Sequence, residues 1–170
     1  VLTDASTEVD GEASVQNAIV QGSVVPGVWT VDFNRLIFTP DTPMGEGIYT
    51  ATIYPTDKPL GNSTEASISF TLDQTPPVIT SVTHDATGVL RKGSVLNVTL
   101  VSEPNGTASF DIGVNITNQP MMETGTPGTY VGSYTVVEGD DVTNAVLMGH
   151  LIDPAQNGSQ LAADVLISIN

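Results

Sequence analysis

Two adjacent prolines, Pro76 and Pro77, stand near the middle of the chain within Asp73-Gln74-Thr75-Pro76-Pro77-Val78-Ile79. Each fixes φ and removes a backbone donor, and the pair pushes the preceding residue towards extended conformations. Neither a helix nor a central strand can therefore run through them. On both sides lie short alternating apolar segments broken by Gly, Pro, Asn and Asp. The stretch reads as a joint between two β domains, residues 1–73 and 74–170. A chain of 170 residues has room for two such units near the lower end of the usual domain range, each able to bury a core.

The period of two supports this division. In the first half, Val24 to Phe33 is a strand interrupted at Pro26-Gly27, with Trp29, Val31 and Phe33 on one face, so Trp29 is expected in the core. Ile48 to Tyr54 alternates as well. Glu65 to Leu72 is the cleanest case, placing Ala66, Ile68, Phe70 and Leu72 on one side. In the second half, Leu96, Val98 and Leu100 face inward along Val95 to Val101. Glu103-Pro104-Asn105-Gly106 then predicts a tight hairpin into Thr107 to Ile112. Further strands are expected at Val114 to Asn118, Gly128 to Val137, Asn144 to Ile152 and Leu161 to Ile169. Turn signals every eight to twelve residues are those of an antiparallel β-sandwich, and no helix longer than a turn is expected.

Charge narrows the partners. Nineteen acids against four bases give a net charge of −15, and the excess is even, with ten acids and two bases up to Asp73 and nine acids and two bases after it. Such a coat argues against nucleic acid and anionic membranes, whose recognition needs clustered Lys and Arg. It suits solubility outside a cell and contact with divalent cations. The absence of cysteine removes disulfides, thiol nucleophiles and thiolate metal sites. No run of eighteen apolar residues is present, so no membrane insertion is expected in this segment.

Chemistry is sparse. The two histidines, His84 and His150, both fall in or beside strands, and no nucleophile elbow, H-E-x-x-H pair, Walker loop or dinucleotide-binding glycine pattern accompanies them. The chain is not expected to be an enzyme. Calcium is the better chemical candidate, since it takes carboxylate and carbonyl oxygens. The places to look are Asp73, Asp140 with Asp141, Asp153 with Asn157, and Asp57 with Asn62, although none has the spacing of an EF-hand loop. The competing reading is that these Asp and Asn residues simply make turns through local hydrogen bonds. Five Asn-x-Ser/Thr triplets, at Asn62, Asn97, Asn105, Asn115 and Asn157, are glycosylation candidates. Aromatics are few and alternate with small residues, which is the habit of core members and not of a row of sugar-stacking rings.

The wording of the first half resembles a known type. Leu36-Ile37-Phe38-Thr39-Pro40-Asp41-Thr42-Pro43-Met44, Gly47-Ile48-Tyr49-Thr50-Ala51-Thr52-Ile53, Asp57 with Gly61-Asn62, and Ser69-Phe70-Thr71 follow in that order. Together they resemble tandem bacterial Ig-like domains of the kind found in S-layer and other cell-surface or exported proteins. Asp73 to Ile79 is similar to the joint between copies of such domains. In the second half, Ala108-Ser109-Phe110-Asp111-Ile112-Gly113, Gly128-Thr129-Tyr130-Val131-Gly132-Ser133-Tyr134 and Asp153 to Asn157 are similar to another Ig-like repeat.

The resemblance implies two tandem Ig-like antiparallel β-sandwiches joined by a short Pro-Pro linker. The implied role is an extracellular, cell-surface structural segment: a spacer, a stalk, or a self-assembling S-layer, filament or adhesin subunit. Its partners would be copies of itself or neighbouring repeats of the same surface protein. The alternative is a carbohydrate- or calcium-binding accessory module of a larger secreted protein. Domains of the first type begin with a strand upstream of the segment that Val1 to Val9 matches, so the first domain is read as lacking its opening strand. A cut through a longer chain explains that, as does a domain that tolerates the loss, and so does a neighbouring subunit that supplies the strand by β-augmentation.

Overall fold

A computed structural model describes residues 18–20, 23–32, 35–54 and 64–170. The segments expected at Val1 to Val9 and at Asp57 to Asn62 lie outside the described residues. All regular structure among those described is β, in fifteen strands, and no helix there is long and apolar enough to cross a membrane. The chain separates into two compact units, Val1–Gln74 and Thr75–Asn170.

In the first unit, β1 (Ala18–Val20), β2 (Ser23–Val25), β5 (Gly47–Ile53) and β6 (Ala66–Leu72) form a sheet in the order β2-β1-β5-β6. A separate hairpin pairs β3 (Gly27–Asp32) with β4 (Arg35–Pro40). Tyr49, opposite Phe70 in the β5–β6 ladder, is buried. It stacks on that ring at a centroid distance of 5.5 Å and donates its hydroxyl to the Gly45 carbonyl at 2.6 Å. Trp29 is half-buried and not the core residue that alternation predicts, because it lies on the two-stranded hairpin, where its ring meets that of cross-strand Phe38 at 4.8 Å. Burial along β6 does not follow the alternation, since every residue from Ser67 to Thr71 is exposed. Strand β6 lies at a sheet edge among the described residues, and Ile68 and Phe70 stay 68% and 45% exposed.

The second unit is sandwich-like. Its strands are β7 (Ser81–His84), β8 (Val95–Val101), β9 (Thr107–Ile112), β10 (Ile116–Glu123), β11 (Thr129–Thr135), β12 (Val142–Ala145), β13 (Leu147–Ile152), β14 (Gly158–Ala162) and β15 (Ile167–Ile169). Seven of them run antiparallel in the order β14-β13-β9-β10-β11-β8-β7. Strand β10 joins two layers: it pairs with β9 from Ile116 to Met121 through a register shift, and with β11 at Met122 and Glu123. The layers meet over an apolar core. Leu96, Val98 and Leu100 of β8, Phe110 and Ile112 of β9, Tyr130 of β11 and Leu147 and Leu151 of β13 are all within 1% of full burial. Burying each such side chain contributes about 1.5–3 kcal/mol relative to exposure. The layers are so close at Gly149 that an added Cβ would sit 2.7 Å from Val82 and 2.9 Å from Leu100. Strand β12 pairs with β15, which also bridges Leu90 in parallel through Ile169.

Three expectations change here. Asn105-Gly106 does not close a hairpin, since β8 pairs with β7 and β11 while β9 pairs with β10 and β13. The turn instead carries the chain from one layer to the other, and Tyr130 holds it: its hydroxyl accepts from Gly106 N at 2.9 Å and donates to the Glu103 carbonyl at 2.8 Å. The span Asn144 to Ile152 is two strands, broken at the exposed Val146, and Leu161 to Ile169 is likewise divided between β14 and β15.

The proline stretch is tied down on both sides. Gln74 donates its backbone N–H to Glu46 Oε1 and its side-chain amide to the Met44 carbonyl, within the first unit. Pro77 is buried in the second, where its carbonyl accepts the Ser159 hydroxyl at 2.6 Å. Val78 N donates to Glu103 Oε1 at 3.2 Å.

Candidate functional site

Among the described residues, the outer surface of the layer containing β9, β13 and β14 carries a group of polar side chains around an open depression. On β9 the inward residues Ala108, Phe110 and Ile112 alternate with Ser109 and Asp111, and on β13 Leu147, Gly149 and Leu151 alternate with Met148, His150 and Ile152. The ladders place Ser109 and Gln160 directly opposite His150, one on each side, so three polar side chains cross the layer in one row. Asp111 stands one step along the diagonal. Its Oδ2 is 2.9 Å from His150 Nε2, and its Oδ1 accepts the Asn118 backbone N–H at 2.6 Å. Asn118 lies at the register shift of β10 with φ of 54°, an αL conformation that Asn tolerates better than most residues. Together with Thr117 and Ser159 these groups line an open depression of about 470 Å³.

The depression presents hydroxyl, amide and imidazole groups, all of them able to hydrogen-bond. Because each Asp111 oxygen already has a partner, the carboxylate acts chiefly to orient His150 and to hold the β10 irregularity. His84 is elsewhere, on β7. Its Nε2 lies 2.9 Å from the Val165 carbonyl, an acceptor only, so Nε2 donates there, and the buried Nδ1 has no hydrogen-bond partner among the described residues. The two histidines lie on different strands, each bonded to its own neighbour, and they form no shared site.

The calcium candidates are dispersed. Asp140 Oδ2 accepts the Tyr134 hydroxyl and the Val137 N–H, each at 2.8 Å, and burial together with that bond pushes the Tyr134 phenol up from its ordinary value. Asp141 is exposed beside it. Asp153 accepts from Asn157 N at 2.9 Å and Asn157 Nδ2 at 3.0 Å in a local turn. Burial pushes the Asp153 carboxyl up, but the Asn157 side-chain and backbone bonds outweigh it and hold the group below its ordinary value. Asp73 is exposed at the end of the first unit. Among the described residues no three carboxylate or imidazole groups converge as metal ligands.

The glycosylation candidates divide. Asn62 lies outside the described residues. Asn97 is exposed, but its Nδ2 donates to Asp85 Oδ2 at 2.6 Å, and the half-buried Asn157 is bonded to Asp153. Asn105 and Asn115 occupy exposed turns, Asn115 next to Val114, which is 90% exposed.

Ser109, Asp111, Asn118 and Gln160 do not stand out as a group in the sequence. The one signal there is polar residues on the outward beat of two otherwise apolar strands. The register that sets β9 against β13 is what brings them together. No protein-family model matches the chain, and no curated protein matches it.

Proposed function

We propose that the chain is a structural segment of an extracellular, cell-surface assembly, in which two tandem Ig-like β-sandwiches act as a spacer, stalk or assembling subunit. The observation that carries the reading is the second unit's interior: an apolar core between two layers linked by β10, with polar side chains turned outward or spent on closing turns. The ties of Gln74 to the first unit and of Pro77 and Val78 to the second leave a short connection, which suits a spacer. Strand β6, uncharged from Ala66 to Leu72 and at a sheet edge among the described residues, supports strand addition from a neighbouring subunit.

Electron microscopy and light scattering of the purified chain test this. Defined rods, filaments or arrays, or a monomer that lengthens in proportion when copies are fused in tandem, are the expected results. Enzymatic turnover, or a subunit contact that fails to order the surface, would refute it.

The second reading is a carbohydrate- or calcium-binding accessory module, and the polar row at Gln160, His150 and Ser109 favours its carbohydrate form, with hydroxyl and amide groups beside an open depression. A glycan panel read against Ser109→Ala and Gln160→Ala, and melting temperature with and without millimolar calcium, test that reading, since a ligand of the native state must raise the melting temperature.

A further inference from the structure

Two Asn-Gly dipeptides occur in the chain, Asn105-Gly106 and Asn157-Gly158, both in the second unit. An Asn-Gly pair carries its own chemistry. The glycine backbone nitrogen, unhindered by a side chain, attacks Cγ of the preceding carboxamide: a new N–Cγ bond forms, the Cγ–Nδ2 bond breaks, and ammonia leaves with the proton given up by the attacking N–H. Water then opens the resulting succinimide at either carbonyl, yielding aspartate or isoaspartate. The sum needs no reagent besides water. Whatever fixes the glycine nitrogen or the carboxamide therefore fixes the rate.

The fold demands the first pair. Asn105 has φ of 67°, an αL conformation that Asn tolerates better than most residues. At Gly106 an added Cβ would lie 2.8 Å from Leu151 Cδ1 and 2.9 Å from the Ile152 carbonyl oxygen, so a larger residue does not fit. Sterics at the crossing turn thus select a reactive dipeptide, and Asn105 is exposed to water. Its attacking atom is nevertheless engaged. Gly106 N donates to the Tyr130 hydroxyl at 2.9 Å, and that hydroxyl is itself fixed by donating to the Glu103 carbonyl at 2.8 Å from a side chain 1% exposed. Asn105 N is held as well, by Glu123 Oε2 at 3.1 Å.

From this we infer that Asn105 is a deamidation site that Tyr130 holds closed by occupying the N–H of Gly106. Ring closure requires that bond to break and the turn to open. Conversion would place a new carboxylate beside Glu123, and isoaspartate would lengthen the main chain by a methylene in the turn that carries it from one layer to the other. The closed turn and the intact asparagine preserve each other.

The second pair is restrained from the other end. Asp153 accepts from Asn157 N at 2.9 Å and from Asn157 Nδ2 at 3.0 Å, so there the carboxamide is held. The two pairs answer to different side chains, and each serves as the control for the other.

Incubation of the full chain in mildly alkaline buffer, with peptide mapping by mass spectrometry for aspartate and isoaspartate, tests the inference. Both pairs should persist in the native chain, and both should convert in urea, which supplies the unprotected rate. Tyr130→Phe should convert Asn105 about tenfold faster than the native chain, or more, because two hydrogen bonds no longer oppose opening of the turn. Asn157 should keep its native rate in that variant, and Asp153→Ala should reverse the pattern. Conversion of native Asn105 as fast as in urea would overturn the inference. So would Tyr130→Phe with an unchanged rate at Asn105, or with both sites accelerated alike, which is the mark of general unfolding.

Discussion

Asp111 and His150, 39 residues apart in sequence, meet across the diagonal of the β9–β13 ladder with Oδ2 and Nε2 2.9 Å apart. The pair is about one-quarter to one-third exposed, so its own contribution is small, below about 1 kcal/mol. Asp111 has a second task, since it also accepts the Asn118 amide at the β10 irregularity. Asp111→Ala should therefore cost about 1–2 kcal/mol and His150→Ala less than about 1 kcal/mol in urea unfolding. Equal losses would mean that the Asn118 bond contributes nothing.

Tyr130→Phe removes one oxygen that serves two backbone groups, Gly106 N and the Glu103 carbonyl, in a side chain that is 1% exposed. Shape and apolar burial are retained, so the loss isolates the hydrogen bonds. A destabilisation of about 1–3 kcal/mol is expected. Thermal or denaturant unfolding of the variant measures it, and a neutral substitution would show that the crossing turn holds without the phenol.

Two glycines should resist alanine for different reasons. At Gly128 the φ of 78° already disfavours a side chain, and a Cβ would run into the Ser102 carbonyl oxygen, a backbone atom that cannot swing away. At Gly149 the obstruction is Val82 and Leu100, side chains that can partly yield, at a cost of about 1–3 kcal/mol. Gly128→Ala should be the more damaging of the two, as read from soluble yield and melting temperature.

Acid should erode a defined part of the stability. The side-chain and then the backbone hydrogen bond from Asn97 hold the Asp85 carboxyl below its ordinary value of 3.8. Between the folded and the ordinary value the unfolded chain binds more protons, so stability rises with pH there and this contribution is fully present above the ordinary value. It is lost as pH falls through the folded value. The stability gap between the native chain and Asp85→Asn should therefore be widest near neutral pH and narrow towards zero once the folded carboxyl is protonated. A gap constant with pH in urea midpoints would remove Asp85 from the acid response.

The amount of this architecture that can be read from the chain follows from range. The inward positions Leu96, Val98 and Leu100 are legible because the pleat alone assigns faces, and the same holds for Ala108, Phe110 and Ile112. Neighbour relations are not local. Asn105-Gly106 has the chemistry of a hairpin, yet the strands it connects pair elsewhere, and only the hydroxyl of Tyr130, far along the chain, shows why. Val146 sits in an unbroken apolar run, and nothing nearby marks it as the point where the chain turns outward. The His150–Asp111 pair depends on register in the same way.

Strand β10 has a kinetic consequence. Because one continuous segment hydrogen-bonds β9 through Met121 and β11 from Met122, neither layer can detach without disturbing the other. Amide exchange in β9 and β11 should then proceed through a single shared opening. Asp111, which anchors the irregularity at Asn118 from β9, is then a residue whose loss should raise amide exchange in both layers and not in β9 alone.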